Sequence, residues 1–265
     1  MVISLLSGLL VGAVLGITGA GGGIFSIPTL VIGMGWAPQQ AAPVALVAVA
    51  GSAALGAIDA WRKGLVRYRA AIVITLAGVP MTSVGLWVAH RTSPELLSLL
   101  FAGVMLTVAC RLVRAPEMAA THAYPVTLDE HTGRFVWTVN TWLLFLTVGA
   151  LLGFMTGLLA VGGGFIIVPL LRQFTPLPIR SCITTSLMIV ALVGMGGIAT
   201  AVIHGDTLPM PFTLWFVLSA VTGMFIGRKL SHNLPEHVVQ KGFAGLLIVV
   251  ALGMVFNAVM MKSIS

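Results

Sequence analysis

Apolar residues run through this chain in blocks too long for the elements of a soluble fold. No ionisable side chain occurs between Met1 and Asp59, and further charge-free stretches cover 70–89, 135–171, 207–227 and 242–261. A membrane-spanning helix needs about 20 consecutive apolar residues. The pattern therefore predicts six ordinary spans, at 38–60, 70–90, 94–113, 180–203, 208–227 and 235–261, and two longer apolar segments at 2–36 and 136–171. A straight helix of about 35 residues would reach about 52 Å, well beyond the roughly 30 Å hydrocarbon layer. Each long segment must break. The natural place is a glycine cluster, because glycine weakens a helix and accepts the positive φ of a sharp turn.

The two long segments are copies of one another. Gly8–Val31, GLLVGAVLGITGAGGGIFSIPTLV, lies over Gly149–Arg172, GALLGFMTGLLAVGGGFIIVPLLR, at an offset of 141, with nine of 24 positions identical. The same gapless offset places Gly56 on Gly197, Ala60 on Ala201, Gly64 on Gly205 and Pro94-Glu95 on Pro235-Glu236. The chain reads as a duplication: a first membrane repeat over 1–113, a linker over 114–134, and a second membrane repeat over 135–265.

Charge orients the repeats. If each long segment crossed the bilayer once, the halves would be parallel and Lys and Arg would divide eight to six between the two sides. If each instead enters and returns as a broken hairpin, the halves are inverted, and twelve of the 14 basic residues fall on one side. Basic residues gather in cytoplasmic loops. The expected fold is therefore an all-α integral membrane protein of two inverted repeats, each a glycine-broken helical hairpin followed by three transmembrane helices. Both termini are expected outside and the linker in the cytoplasm of a multi-pass cell-membrane protein. The N-terminal Met-Val-Ile-Ser lacks the basic region of a cleaved signal and reads as mature sequence.

Composition agrees with this picture and narrows the chemistry. The chain is 58% hydrophobic and 8% charged, against about 25% charged in soluble domains. Its formal charge of +7 follows from basic cytoplasmic loops and does not call for nucleic acid. No GxSxG or HExxH string occurs, and the spans hold almost no acid, base or nucleophile. An enzyme is not expected, nor are a metal or other cofactor. Two cysteines, Cys110 and Cys182, make no disulfide framework.

What the pattern does offer is a place for an anion. In each hairpin the second short helix begins at the glycine tip, at Gly21, Gly22 and Gly23 or at Gly162, Gly163 and Gly164. Its unpaired N–H groups and positive dipole end then point into the protein. Inverted symmetry brings two such ends together, as in secondary transporters whose site lies at the repeat interface. Both copies keep the triple glycine and a proline five residues beyond it, Pro28 and Pro169.

The motifs GITGAGGGIFSIPTL and GLLAVGGGFIIVPLL, with RSCITTSL over 180–187, resemble the TauE/SafE family of permeases, the sulfite exporter or toluene sulfonate uptake family. The resemblance covers nearly the whole chain. It implies secondary transport of sulfite, an organosulfonate or a related small anion across the cytoplasmic membrane by alternating access. The glycines and Thr184, Thr185 and Ser186 match the family's second-half pattern, whose hydroxyls would donate to an anion. The first half departs from it, with Pro43, Val44 and Ala45 at the corresponding positions.

Further substrate candidates are Thr18 and Ser26 beside the first glycines, Gln39 and Gln40 nearby, and Arg180, one helical turn before Thr184. Asp59 and His204 are candidates for coupling, the ordinary alternative for Asp59 being an ion pair with Arg62 and Lys63. The expected partners are a small anionic substrate, the lipid bilayer and a coupling ion, proton or sodium. The oligomeric state stays open. A passive anion channel and a membrane assembly subunit are the alternative functions.

Overall fold

A computed structural model describes residues 2–18, 23–114, 125–128, 135–159, 164–203, 209–231 and 236–264. Among these the chain forms α1 (Val2–Thr18), α2 (Gly23–Met34), α3 (Pro38–Arg62), α4 (Tyr68–Arg91), α5 (Pro94–Arg114), α6 (Val139–Leu159), α7 (Gly164–Phe174), α8 (Ile179–Ile203), α9 (Met210–Ser231) and α10 (Glu236–Ile264). Five of them, α3, α4, α6, α8 and α9, are long and apolar enough to cross a membrane.

The helices described on either side of the glycine clusters end at Thr18 and Leu159 and begin at Gly23 and Gly164, positions that coincide at the sequence offset of 141; the expected breaks themselves, at 19–22 and 160–163, lie outside the described residues. The same offset superposes α3 on α8, each 25 residues long. Local rules explain these boundaries. Pro38 opens α3 at a position whose N–H would go unpaired anyway. Gly64, at φ 69°, makes the turn that ends it.

Polarity is inverted relative to a soluble protein. Leu76, Val139, Ile203, Val249 and Phe256 are exposed, whereas among the described residues the buried polar ones are all serines and threonines. Such an exterior suits lipid. Near the end of α4 the Arg91 guanidinium sits 3.9 Å over the Trp87 ring, a pairing suited to a membrane–water boundary.

Glycines decide how the helices pack. A Cβ on Gly8, Gly12 or Gly16 of α1 would run into the backbone of Phe216, Ala220 or Met224 of α9, stepping four residues at a time on both helices. The equivalent glycines of α6, at 149, 153 and 157, lie against Ile74, Gly78 and Thr82 of α4 in the same way. Both pairs therefore run parallel, backbone against backbone, as small residues at every fourth position allow. The first helix of each copy is thus locked to the fourth helix of the other.

The centre is an α3–α8 crossing. Leu46 meets Gly197, Ala50 meets Gly194 and Gly56 meets Leu187, so these corresponding helices run antiparallel. Helices α5 and α10 pack together, and α2 and α7 touch in the interior. Part of the linker also packs: Val126 is buried and donates its N–H to the Phe174 carbonyl at 3.3 Å, at the end of α7.

Candidate functional site

The two short helices α2 and α7 begin inside the protein, with Gly23 and Gly164 both buried. The first N–H groups of a helix have no carbonyl one turn earlier to receive them. A buried start is therefore a place for an acceptor, and the positive end of the helix dipole favours a negative one. Gly21, Gly22, Gly162, Gly163 and His204 lie outside the described residues.

Side chains around these starts divide into engaged and unengaged groups. Ser26, in the first turn of α2, is 0% exposed, and its hydroxyl has no hydrogen-bond partner. Ser186 is equally buried and equally unpartnered. On α8 it stands between Cys182 and Ile189, which share one core with residues of α4, α6 and α7. A buried hydroxyl without a partner is unfavourable by about 1–3 kcal/mol, which makes these two serines the most informative of the candidates.

Their neighbours have structural employment. The Thr184 hydroxyl reaches the Leu65 carbonyl at 3.1 Å and the Arg180 carbonyl at 2.9 Å. Thr185 accepts the Arg67 N–H at 3.1 Å. Together they bolt the start of α8 to the turn between α3 and α4. Thr18 donates back to the Val14 carbonyl at 2.8 Å, the common habit of a helical threonine. Arg180 is exposed at the start of α8.

Gln39 sends its amide N–H to the Thr92 carbonyl at 3.0 Å, leaving its own buried oxygen unpartnered. With His90 it provides the polar wall of a narrow, otherwise apolar cleft that also touches Ile27, Leu86 and Leu159, the last residue before the second break. Asp59 is held in an ion-pair network. One carboxylate oxygen lies 2.9 Å from Lys63 Nζ and 2.9 Å from Arg228 Nη1, tying α3 to α9. Lys63 was the expected partner, but Arg228, from the other copy, was not visible in the sequence.

Two further buried hydroxyls without partners were missed. Ser52 of α3 and Thr156 of α6 are each 0% exposed and bonded to nothing. Ser52 lies beside Val49 and Ala53 of α3, which share a core with Leu187, Val190 and Ala191 of α8. Thr156 sits in the last turn of α6, just before the second break. Their signal was faint: single small polar residues in apolar helices, outside any motif. Among the described residues, no group of His, Cys, Asp and Glu is arranged to hold a metal ion.

Lipid-compatible outside and hydroxyl-bearing inside, the molecule is a polytopic α-helical membrane protein. The profile of the sulfite exporter TauE/SafE family matches residues 4–254, and the chain belongs to that family. It is 28% identical over 262 residues to a "Probable membrane transporter protein" of Xylella fastidiosa strain 9a5c, covering 97% of this chain and 96% of that one. A relative of the same name in Haemophilus influenzae is 28% identical, over 96% of this chain and 97% of its own. A "Probable membrane transporter protein YunE" of Bacillus subtilis strain 168 is 22% identical, over 94% of this chain and 93% of its own. No solved structure matches. Fold and relatives together describe a membrane transporter, with a small-molecule substrate and a lipid environment.

Proposed function

We propose that this transporter carries a small anion, sulfite or an organosulfonate, across the cytoplasmic membrane by alternating access, and that the anion rests between the glycine-tipped starts of α2 and α7. The observation that carries the reading is a pair of fully buried, unpartnered serines, Ser26 in the first turn of α2 and Ser186 on α8, which packs against α7. Each has a hydroxyl hydrogen to donate where a helix also directs unpaired N–H groups and a positive dipole end. An anion satisfies all of them at once.

Inverted repeats suit the same reading. Helices α3 and α8 occupy the same position in the two copies yet cross antiparallel, the relation expected of repeats inserted in opposite directions; parallel halves would align them. Antiparallel copies place one short helix on each side of the midplane, which lets a central site open alternately. Both termini are then external and the linker is cytoplasmic.

The test is the thermal stability of the purified protein against sulfite, thiosulfate, small organosulfonates, sulfate and acetate at matched ionic strength, in the wild type and in Ser186→Ala. A ligand that binds only the folded state raises stability by mass action. A shift with a sulfur anion that Ser186→Ala removes is expected. No shift with any of them refutes the assignment.

A further inference from the structure

Two kinds of helix interface meet in this fold. The pairs α1–α9 and α4–α6 touch backbone to backbone at successive turns, with little side chain between them to give way. The interfaces α3–α9 and α4–α8 touch through side chains instead. A Cβ on Gly56 of α3 would meet the Met224 sulfur at 3.3 Å, and one on Gly197 of α8 would meet the Thr82 methyl at 3.2 Å. Contacts of that kind yield to small side-chain movements, which lets packed helices shear past one another. Both softer interfaces carry a polar contact near the end of the central helix. Asp59 of α3 meets Arg228 of α9, Oδ2 to Nη1, at 2.9 Å. Thr200 of α8 meets Ser83 of α4, hydroxyl to hydroxyl, at 3.1 Å. At the offset of 141 Asp59 falls on Thr200, and Arg228 falls on Trp87, one helical turn from Ser83. The two contacts are therefore one joint seen in two copies, ionic in the first and neutral in the second. Because α3 and α8 cross antiparallel, the joints stand at opposite ends of the molecule.

Resting on the alternating-access reading above, we infer that these contacts are the two latches of the transport cycle. Asp59–Arg228 closes the end marked by the α3–α4 turn, and Ser83–Thr200 closes the end marked by the α4–α5 turn. The structure, holding both, is closed at both ends. Opening one end shears the α3–α8 pair against one locked pair while the other joint holds. The latches differ in kind. The side chains of Asp59 and Arg228 are 40% and 31% exposed, within reach of salt, whereas Thr200 is buried. Arg228 Nη1 is itself buried and meets the carboxylate without an aligned hydrogen bond, so the attraction is between charges and ionic strength weakens it. Lys63 lies as close to Asp59 but on the same helix; it bridges no interface and latches nothing.

A cysteine in place of Ser52, buried on α3 two turns before Asp59, reports which end is open. With Cys110 and Cys182 replaced by alanine, its modification by a membrane-impermeant anionic thiol reagent is timed from each face of sealed vesicles. Arg228→Gln is expected to speed modification about two- to fivefold from the α3–α4 face alone, through loss of a part-exposed ion pair. Raised salt should have the same effect while Arg228 is present and none once it is replaced. Ser83→Ala is expected to speed modification about two- to tenfold from the opposite face alone, through loss of one hydrogen bond. Lys63→Ala should change neither rate. Modification from both faces at rates indifferent to Arg228→Gln and Ser83→Ala would overturn the latches and leave alternating access standing, as would both rates rising together in either variant. A cysteine that reacts from one face only in every variant, or from neither, would overturn alternating access as well.

Discussion

Replacing Gly153 with alanine isolates what the glycine stripes contribute. The new Cβ would stand 2.6 Å from both the Gly78 carbonyl carbon and the Gly78 Cα, where real Cβ atoms essentially never come within 3.0 Å. The obstacle is helix backbone, so no rotamer change relieves it. To regain an ordinary contact of 3.4 Å, α4 and α6 must part by at least about 0.8 Å, and by more for the Gly78 carbonyl oxygen, which stands closer still. A gap of that order forfeits a quarter to a half of the dispersion energy between the facing atoms. Lipid also lacks the hydrophobic drive that would press the helices together again. Overpacking usually costs about 1–3 kcal/mol, and a backbone-to-backbone clash belongs at the upper end, so about 3 kcal/mol is expected. The assay is reversible unfolding in mixed micelles, with Gly103→Ala as the control. A Cβ on Gly103 meets nothing within 4 Å, so that variant should be neutral or up to about 1 kcal/mol more stable through helix propensity alone. If Gly153→Ala unfolds at or above wild type, the backbone-contact account of the α4–α6 pair is wrong.

Other perturbations test separate parts of the argument. Ser52→Ala should stabilise the unliganded protein by about 1–2 kcal/mol, since it removes a buried hydroxyl with no partner; a lower melting temperature would mean that the hydroxyl is bonded in the fold. Thr185→Val strands the Arg67 N–H that it now accepts and should cost about 1–2 kcal/mol in the same unfolding measurement. Asp59→Ala should cost less than about 1 kcal/mol, because its ion pairs with Lys63 and Arg228 are partly exposed and screened. Transport that depends steeply on Asp59 would restore it as a coupling residue. Cysteines introduced at the exposed positions Lys63 and Met210, just after α3 and at the start of α9, should be labelled from opposite faces of the membrane. Labelling from one face would contradict the inversion.

Much of the architecture was readable before any coordinates. Hydropathy located the spans, because water-free surroundings admit only long apolar segments whose backbone bonds are internal. The constant offset of 141 pointed to a duplication, and the triple glycines marked expected breaks that fall between the described ends of α1 and α2 and of α6 and α7. These are local properties: each depends on a residue and its chain neighbours. The glycines at 8, 12 and 16 and at 149, 153 and 157 were equally visible as a four-residue period, yet their meaning was not, since the period shows a flat face and not the helix that will occupy it.

The sequence by itself determined what each segment is: an apolar helix, its limits, its glycine-made break and its twin in the other copy. Only the tertiary structure decided which segments meet. It set α1 against α9 and α4 against α6, crossed α3 with α8, and brought Arg228 to Asp59 from the other copy. It also sorted the hydroxyls: Thr184 and Thr185 are used up on the turn between α3 and α4, while Ser26, Ser52, Thr156 and Ser186 remain unpartnered. The physical reason is that a hydroxyl in an apolar helix reads the same whether or not an acceptor waits across the gap. That acceptor belongs to a segment a hundred or more residues away, as with Thr184 and Leu65, and proximity of that kind exists only once the chain has folded.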